Sequence, residues 1–182
     1  GLRKGQDVLV DAFAAIANRH PQVHLLIVGE RHSQKDEAVR FAEQLTLRAR
    51  QPDLVGRVHF LGYREDVTQL LPELRGLVHA ARQEPLGRVL LEAAACGVSV
   101  IATDVGGTRE IFPTEADGAI LVEADDVAAL ASGWLRLIED GALHLQLSAG
   151  ARSRACEQFP VEKCVRDLAA HYGEVLRADT SS

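Results

Sequence analysis

The chain lacks several features that would assign it to a functional class at once. Its 182 residues include no methionine, one tryptophan and three cysteines, Cys96, Cys156 and Cys164. Three cysteines cannot all pair, and their spacing is not that of a metal site, so we expect reduced thiols in a cytoplasmic protein. The sequence also lacks a signal peptide, an apolar run long enough for a bilayer and the His-x-x-His spacing of metal sites. We therefore expect neither a membrane span nor a bound metal.

A strongly basic balance is also missing. The formal net charge is −6, which excludes a broad basic surface for nucleic acid. Any phosphate site must then be local and consist of a few basic side chains together with backbone N–H groups.

Short apolar runs alternate with segments of helical spacing along most of the chain, which predicts a parallel α/β sheet of Rossmann type. We expect one domain over residues 1–177 and a disordered polar tail over residues 178–182. The predicted strands are Val23–Val28, Arg57–Leu61, Leu77–Ala80, Ser99–Ala102 and Ala119–Val122. The predicted helices are Asp7–Asn18, Ser33–Gln51, Asp66–Leu74, Leu86–Cys96, Asp125–Asp140, Ala142–Glu157 and Val161–Arg177.

Glycine-rich or charged loops follow four of these strands. They contain residues 29–30, 62–64, 82–84 and 103–107. Ligands bind at the carboxyl ends of strands in open parallel sheets, so we expect the four loops to converge on one cleft.

The segment of residues 84–97 carries the most chemical information. Pro85 suits a helix start, and the N–H groups of Leu86 and Gly87 would form an anion site together with the helix dipole. Glu84 precedes this turn, and Glu92 lies two turns into a helix that is otherwise apolar, where a carboxylate needs a partner. The segment therefore predicts a phosphate cradle flanked by two acceptors for sugar hydroxyls.

Plainer interpretations stay open for several of these side chains. Glu84 could be merely solvated, and Glu92 could pair with a nearby arginine. A solvated or structural role is favoured for Arg82 over phosphate binding, and Asp104 could either approach a ligand or cap the following turn. Histidines in predicted strands, His79 among them, are expected to be satisfied core or edge residues.

The spacing of Glu84 and Glu92 resembles the E-x7-E signature of retaining glycosyltransferases with the GT-B fold, especially glycosyltransferase family 4. Residues 98–111 resemble the run G-x-P-V-I-A-T-x-x-G-G-x-x-E-I of that family. The resemblance continues through residues 58–63 and 25–29 back to Lys4-Gly5, in the family's order, and covers the chain up to about Val122.

The resemblance implies roles for individual residues. Glu84 would contact the donor sugar beside the reacting carbon and is the candidate catalytic residue. Glu92 would hold the ribose hydroxyls, and Lys4 would neutralise the diphosphate. Together, the implied donor-binding residues are Lys4, Gly29, Tyr63, Arg64, Glu84, Pro85, Leu86, Gly87 and Glu92.

The resemblance also implies what the chain does. It would be the C-terminal, donor-binding half of a hexosyltransferase-type enzyme that uses a nucleoside-diphosphate sugar, with retention and no metal or other cofactor. The alternatives are a nucleotide-sugar epimerase or a phosphorylase of the same fold, and a non-catalytic nucleotide-binding module.

The start of the chain at Gly1 carries a further expectation. We expect a fragment that is inactive alone, lacks the first strand of the sheet, and has an N-terminal acceptor domain as its partner. Contact with the cytoplasmic face of a membrane would occur only through that missing half. The sheet should show a gap or an exposed edge near Val23–Val28, and the apolar stripe of Val161–Arg177 should be partly exposed because the last helix would reach the other domain.

Overall fold

A computed structural model describes residues 2–179 of the chain. Five strands, all parallel to their sheet neighbours, are β1 (Leu25–Val28), β2 (Val58–Gly62), β3 (Leu77–His79), β4 (Val100–Thr103) and β5 (Ala119–Val122). The α-helices are α1 (Gln6–Ala17), α2 (Asp36–Ala49), α3 (Val67–Leu70), α4 (Arg88–Ala95), α5 (Thr108–Ile111), α6 (Val127–Glu139), α7 (Gly141–Gln158) and α8 (Val161–Asp179). Short 3-10 turns lie at Leu2–Lys4, Leu71–Glu73 and Glu115–Asp117.

The strands form two separate parallel sheets. Strands β1 and β2 pair with each other, and β3, β4 and β5 form a three-stranded sheet in that order. Among the described residues, no ladder joins β1 to β3. The expected interruption of the sheet near β1 is therefore confirmed.

Strand β4 is the centre of the larger sheet, and all four of its residues are buried. Its side chains alternate between two cores: Ile101 packs with α1 and α6, whereas Val100 and Ala102 pack with α4 and α7. A strand that is covered on both faces has apolar residues at successive positions, which explains why β4 could be recognised in the sequence. The architecture is thus a sheet between two helical layers.

On one side of the sheet, the apolar face of α1 packs against α6 and forms a core. Phe13 of α1 is fully buried, and its ring centroid lies 5.3 Å from that of Trp134 on α6. Burial of one such side chain contributes about 1.5–3 kcal/mol. The predicted apolar face of α1 is the face that is buried.

Helix α4 begins later than predicted. It starts at Arg88, so Pro85 and Leu86 lie in the loop before it and Pro85 does not open the helix. The residue before the helix is Gly87, with a backbone φ of 84°. Pattern reasoning also missed α5, because four residues are too few to show a helical period.

Helix α8 lies on the surface with its apolar stripe uncovered. Val161 is 72% exposed and Tyr172 62% exposed, and the other predicted stripe residues are also exposed. The expected exposure is confirmed. Helix α8 extends to Asp179, two residues past its predicted end at Arg177, and the rest of the predicted tail, residues 180–182, lies outside the described part.

No helix within residues 2–179 combines the length and the apolar character that crossing a bilayer requires.

Candidate functional site

The loops after β3 and β4 meet at the edge of the three-stranded sheet. The N–H of Gly107 donates to the carbonyl of Glu84 at 3.2 Å. Gly106 has a φ of 51°, and a Cβ at this position would lie 1.9 Å from the Glu84 carbonyl oxygen. Only glycine allows this approach, so residues 106 and 107 hold the backbone of Glu84 in place.

The first turn of the chain reaches the same place. The carbonyl of Arg3 accepts a hydrogen bond from the N–H of Arg82 at 2.9 Å. Gly5 has a φ of 61°, and a Cβ there would lie 1.8 Å from the carbonyl oxygen of Ala80. This close approach brings Lys4 to the end of β3.

Four residues, Lys4, His79, Glu84 and Gly87, form what we call the Glu84 cluster. Lys4 Nζ donates to Glu84 Oε2 at 2.5 Å, and the N–H of Gly87 donates to Glu84 Oε1 at 3.1 Å. The Glu84 side chain is only 10% exposed. A merely solvated Glu84, the plainer interpretation, is therefore wrong, since both carboxylate oxygens have donors within the protein.

These contacts set the ionisation of Glu84. Burial raises the pKa of its carboxyl, but the hydrogen bond and charge of Lys4 and the hydrogen bond from the Gly87 N–H outweigh burial, and the pKa lies below its usual value. Glu84 is therefore a carboxylate at neutral pH and acts as a hydrogen-bond acceptor, not as an acid.

His79 is the member of the cluster that sequence reasoning missed. Its Nε2 lies 3.2 Å from Glu84 Oε2, but the angle is not that of a hydrogen bond. Both ring nitrogens are buried without a hydrogen-bond partner among residues 2–179, so the expectation of a satisfied core histidine was wrong. Burial and the charge of Lys4 lower the pKa of His79, although the negative charge of Glu84 acts in the opposite direction. The lowered pKa favours a neutral ring. A histidine at the end of a strand, five residues before a candidate site glutamate, was the available signal.

Arg82 has the structural role that the sequence favoured. Its Nη1 and Nη2 donate to the two carboxylate oxygens of Asp7 at 3.0 and 2.8 Å, and its Nε donates to Asp125 at 2.7 Å. It also donates to the carbonyl of Leu2 at 2.6 Å. Arg82 thus ties the first turn of the chain to the β3 loop.

The predicted anion cradle before α4 needs one correction. The Gly87 N–H is not free, because it donates to Glu84 Oε1. Pro85 and Leu86 are exposed, and Leu86 is 56% exposed. The structure thus brings residues 84–87 together with Lys4, but it uses one of the two predicted N–H donors to hold Glu84.

Glu92 lies in a different setting from the one that its apolar neighbours suggested. Its side chain is 41% exposed, and Glu92 Oε1 lies 3.6 Å from Arg88 Nη2, one turn earlier on α4. The premise of a carboxylate stranded among apolar groups is therefore wrong, and the plainer interpretation of an arginine pair is confirmed. Its contact with a ribose stays a prediction.

The loops after β1 and β2 form a second pair. The N–H of Gly29 donates to the carbonyl of Gly62 at 2.8 Å. Tyr63 is 65% exposed, and Arg64 pairs with Asp66 through its Nε at 2.7 Å. A groove lined by Lys4, Lys35 and Phe41 lies between the first turn and α2, which follows β1. The four loops thus meet as two pairs, and their convergence on one cleft stays a prediction.

Asp104 is neither free nor a cap of the glycine turn. Its carboxylate pairs with Arg109 on α5, with Nε at 3.0 and 2.9 Å from the two oxygens. In the part of the chain that the structure describes, no three His, Cys, Asp or Glu side chains are grouped so that they could hold a metal ion.

Comparison with known proteins identifies what this arrangement resembles. The family model of glycosyl transferases group 1 matches residues 2–140. N-acetyl-alpha-D-glucosaminyl L-malate synthase from Bacillus anthracis is 35% identical over 178 residues, which cover 98% of this chain and 44% of that protein. The chain thus spans less than half the length of this curated relative.

Solved structures match over nearly the whole chain. Anabaena HepE in complex with UDP superposes with a TM-score of 0.87 at 28% identity, over 96% of this chain and 46% of that one. The same protein has been solved with UDP-glucose. The C-terminal domain of a glycosyl transferase group 1 family protein from Francisella tularensis superposes with a TM-score of 0.79 at 23% identity. The match covers 87% of this chain and 81% of that domain, and this likeness shows the fold alone.

Proposed function

Because the chain belongs to the group 1 glycosyl transferases, we propose that it binds the nucleoside-diphosphate sugar that serves as glycosyl donor. The observation that carries this proposal is the Glu84 cluster, where a lysine, a buried carboxylate and the start of α4 converge at one edge of the sheet. The structures of Anabaena HepE in complex with UDP and with UDP-glucose support this class of ligand.

The chemistry of the cluster fits the two parts of such a donor. Lys4 is 42% exposed, so its ammonium reaches solvent and can contact a diphosphate. Glu84 is ionised and accepts hydrogen bonds, as a residue that orients sugar hydroxyls must. Glu92, Gly29, Tyr63 and Arg64 would contribute the contacts to ribose, diphosphate and base.

In the proposed reaction, the bond between the anomeric carbon and the diphosphate oxygen breaks. The acceptor hydroxyl loses its proton to the departing diphosphate oxygen, and its oxygen bonds to the anomeric carbon with retention. Negative charge develops on the departing diphosphate, and Lys4 together with the dipole of α4 stabilises it. These positive groups supply the charge that a metal ion provides in other transferases, so we propose that no metal is required. Glu84 orients the sugar and does not form a bond to it.

The whole enzyme would need more than this chain. Because the chain spans 44% of its curated relative, we propose that an N-terminal acceptor domain completes the active site. The exposed stripe of α8 would pack against that domain. We further propose that the enzyme works in the cytoplasm, with any membrane contact made by the acceptor domain.

Thermal unfolding in the presence of nucleotides tests the proposal. UDP, GDP, ADP and their glucose esters are added in turn, with and without EDTA. At least one should raise the melting temperature, because a ligand at one hundred times its Kd stabilises by about 2.7 kcal/mol, and EDTA should not change the result.

Two variants sharpen this experiment. Glu84→Gln should bind the glucose ester more weakly than the wild type does, while His144→Leu, a change on α7 outside the site, should not change binding. If none of the six nucleotides stabilises the wild-type chain, the proposed function is wrong. A stabilisation that EDTA abolishes would contradict the metal-free mechanism alone.

A further inference from the structure

The imidazole of His79 is buried, and neither of its nitrogens forms a hydrogen bond with the described residues around it. Three buried side-chain atoms lack a hydrogen-bond partner among residues 2–179, and two of them are its ring nitrogens. The His79 side chain is 10% exposed. Unsatisfied buried polar groups are rare because they cost free energy, so one inside a ligand site needs an explanation.

The backbone of His79 is held firmly at this position. His79 ends β3, where it is in register with Ala102 of β4, and Thr103 Oγ1 donates to its carbonyl at 3.4 Å. The ring therefore cannot move far from Glu84. Its Nε2 already lies at hydrogen-bond distance, 3.2 Å, from Glu84 Oε2 and lacks only the angle.

Lys4 occupies the carboxylate oxygen that His79 faces. Its Nζ lies 2.5 Å from Glu84 Oε2, while Glu84 Oε1 takes the Gly87 N–H. A diphosphate offers Lys4 a stronger partner, since it carries more negative charge than one carboxylate. When Lys4 turns to a diphosphate, the buried Glu84 loses its cation and needs another donor.

We propose that His79 is a positioning residue that takes over Glu84 Oε2 when Lys4 binds the diphosphate. A small rotation of the ring or carboxylate makes the Nε2–H donate to Oε2, and no proton is transferred. Glu84 then keeps its orientation, held by His79 on Oε2 and by Gly87 on Oε1. This inference rests on the proposed function.

The exchange of partners has a specific energetic consequence. Loss of His79 should weaken binding only when ligand draws Lys4 away from Glu84. The effect should be larger for a nucleoside diphosphate than for its sugar ester, because sugar hydroxyls also donate to Glu84. Without Lys4, a bond between His79 and Glu84 exists before and after binding, and its contribution cancels.

A double-mutant cycle by calorimetry tests the exchange, with whichever of UDP, GDP and ADP binds the wild-type chain most tightly. His79→Leu should weaken binding about tenfold, the value of one hydrogen bond to a charged group, and His79→Gln, whose amide can donate, should restore most of it. In the Lys4→Ala background, His79→Leu should change binding less than about twofold. His144→Leu is the matched control and should leave binding unchanged.

Imidazole ¹⁵N chemical shifts give a readout that does not depend on affinity or on the stability of His79→Leu. Lys4→Ala alone, without nucleotide, should shift the His79 Nε2 signal as its hydrogen bond forms, and nucleotide should shift it in the same direction in the wild type. Equal losses for His79→Leu in both backgrounds, no rescue by glutamine, or unchanged shifts would each overturn the role of His79. A wild-type chain that binds neither the three nucleotides nor their glucose esters would overturn the proposed function, and this inference with it.

Discussion

Lys4 and Glu84 are 80 positions apart in the chain, yet Lys4 Nζ and Glu84 Oε2 are 2.5 Å apart. The pair joins the first turn of the chain to the loop after β3, next to the backbone bond between Arg3 and Arg82. Because the pair both holds the first turn in place and forms part of the candidate site, a change of Lys4 or Glu84 should affect both the stability of the fold and the binding of ligand.

The first prediction concerns the pH dependence of this pair. The pKa of Glu84 is lowered in the folded chain, so the pair stabilises the fold above the ordinary carboxyl value of 4.5, and this stability is lost as the pH falls through the lowered pKa. Lys4→Ala should therefore be less stable than the wild type at neutral pH, and the difference should shrink in acid. Urea unfolding at a series of pH values measures it.

Lys163→Ala provides the control for that series. Lys163 pairs with Asp167 at 2.8 Å on the exposed helix α8, where an ion pair adds little to stability. If the difference in free energy of unfolding between Lys4→Ala and the wild type stays constant as the pH falls into the acid range, the prediction is contradicted.

The second prediction separates a structural Arg82 from a phosphate-binding one. Arg82→Ala removes bonds to Asp7, Asp125 and the carbonyl of Leu2, so the free energy of unfolding should fall by about 1–2 kcal/mol. Nucleotide affinity, measured by calorimetry where the variant is still folded, should change little. Arg40→Ala on the exposed face of α2 is the control, and a variant of unchanged stability that no longer binds nucleotide would show that Arg82 contacts phosphate.

The third prediction concerns Glu92 and the ribose. Because Glu92 is partly exposed and only loosely paired with Arg88, Glu92→Gln should leave stability nearly unchanged. Loss of a charge-assisted contact should weaken nucleoside-diphosphate binding by about 1.5–3 kcal/mol.

A 2′,3′-dideoxy nucleotide completes that test. It should bind the wild type weakly and lose little more in Glu92→Gln, because both changes remove the same interaction. Calorimetry on the four combinations decides between the two interpretations, and additive losses would mean that Glu92 does not touch the ribose.

The fourth prediction concerns helix α8. Its apolar side chains Val165, Leu168 and Leu176 are more than half exposed, so the helix adds little to the core of this chain. Deletion of residues 161–182 should change the free energy of unfolding by less than about 0.5 kcal/mol. Urea unfolding of the shortened chain measures this, and a loss of several times that size would show that α8 stabilises this domain.

A parallel change tests what covers the stripe. Leu168→Glu should leave this chain as stable as the wild type but should weaken the association with an added acceptor domain. Unimpaired association would contradict the proposed packing of α8 against that domain.

The sequence by itself determined the order and type of the main elements. Ala119–Val122 is a strand with the bounds predicted for it, and the apolar face of α1 is the buried one. Such features depend on the spacing of apolar residues within a few turns or a few strand positions, so they can be recognised locally. The motif of residues 84–97 also located the candidate site, although the roles implied for its residues stay predictions.

Only the tertiary structure decided how the site is assembled. The pairing of Lys4 with Glu84 and the unsatisfied ring of His79 follow from the path of the first turn relative to β3 and the loop after it. No local pattern contains that path, because it depends on which strands pair and on glycines that let backbones approach. For the same reason Glu92 appeared buried in the sequence, where its neighbours are apolar, and half open in the fold, where its helix face meets solvent.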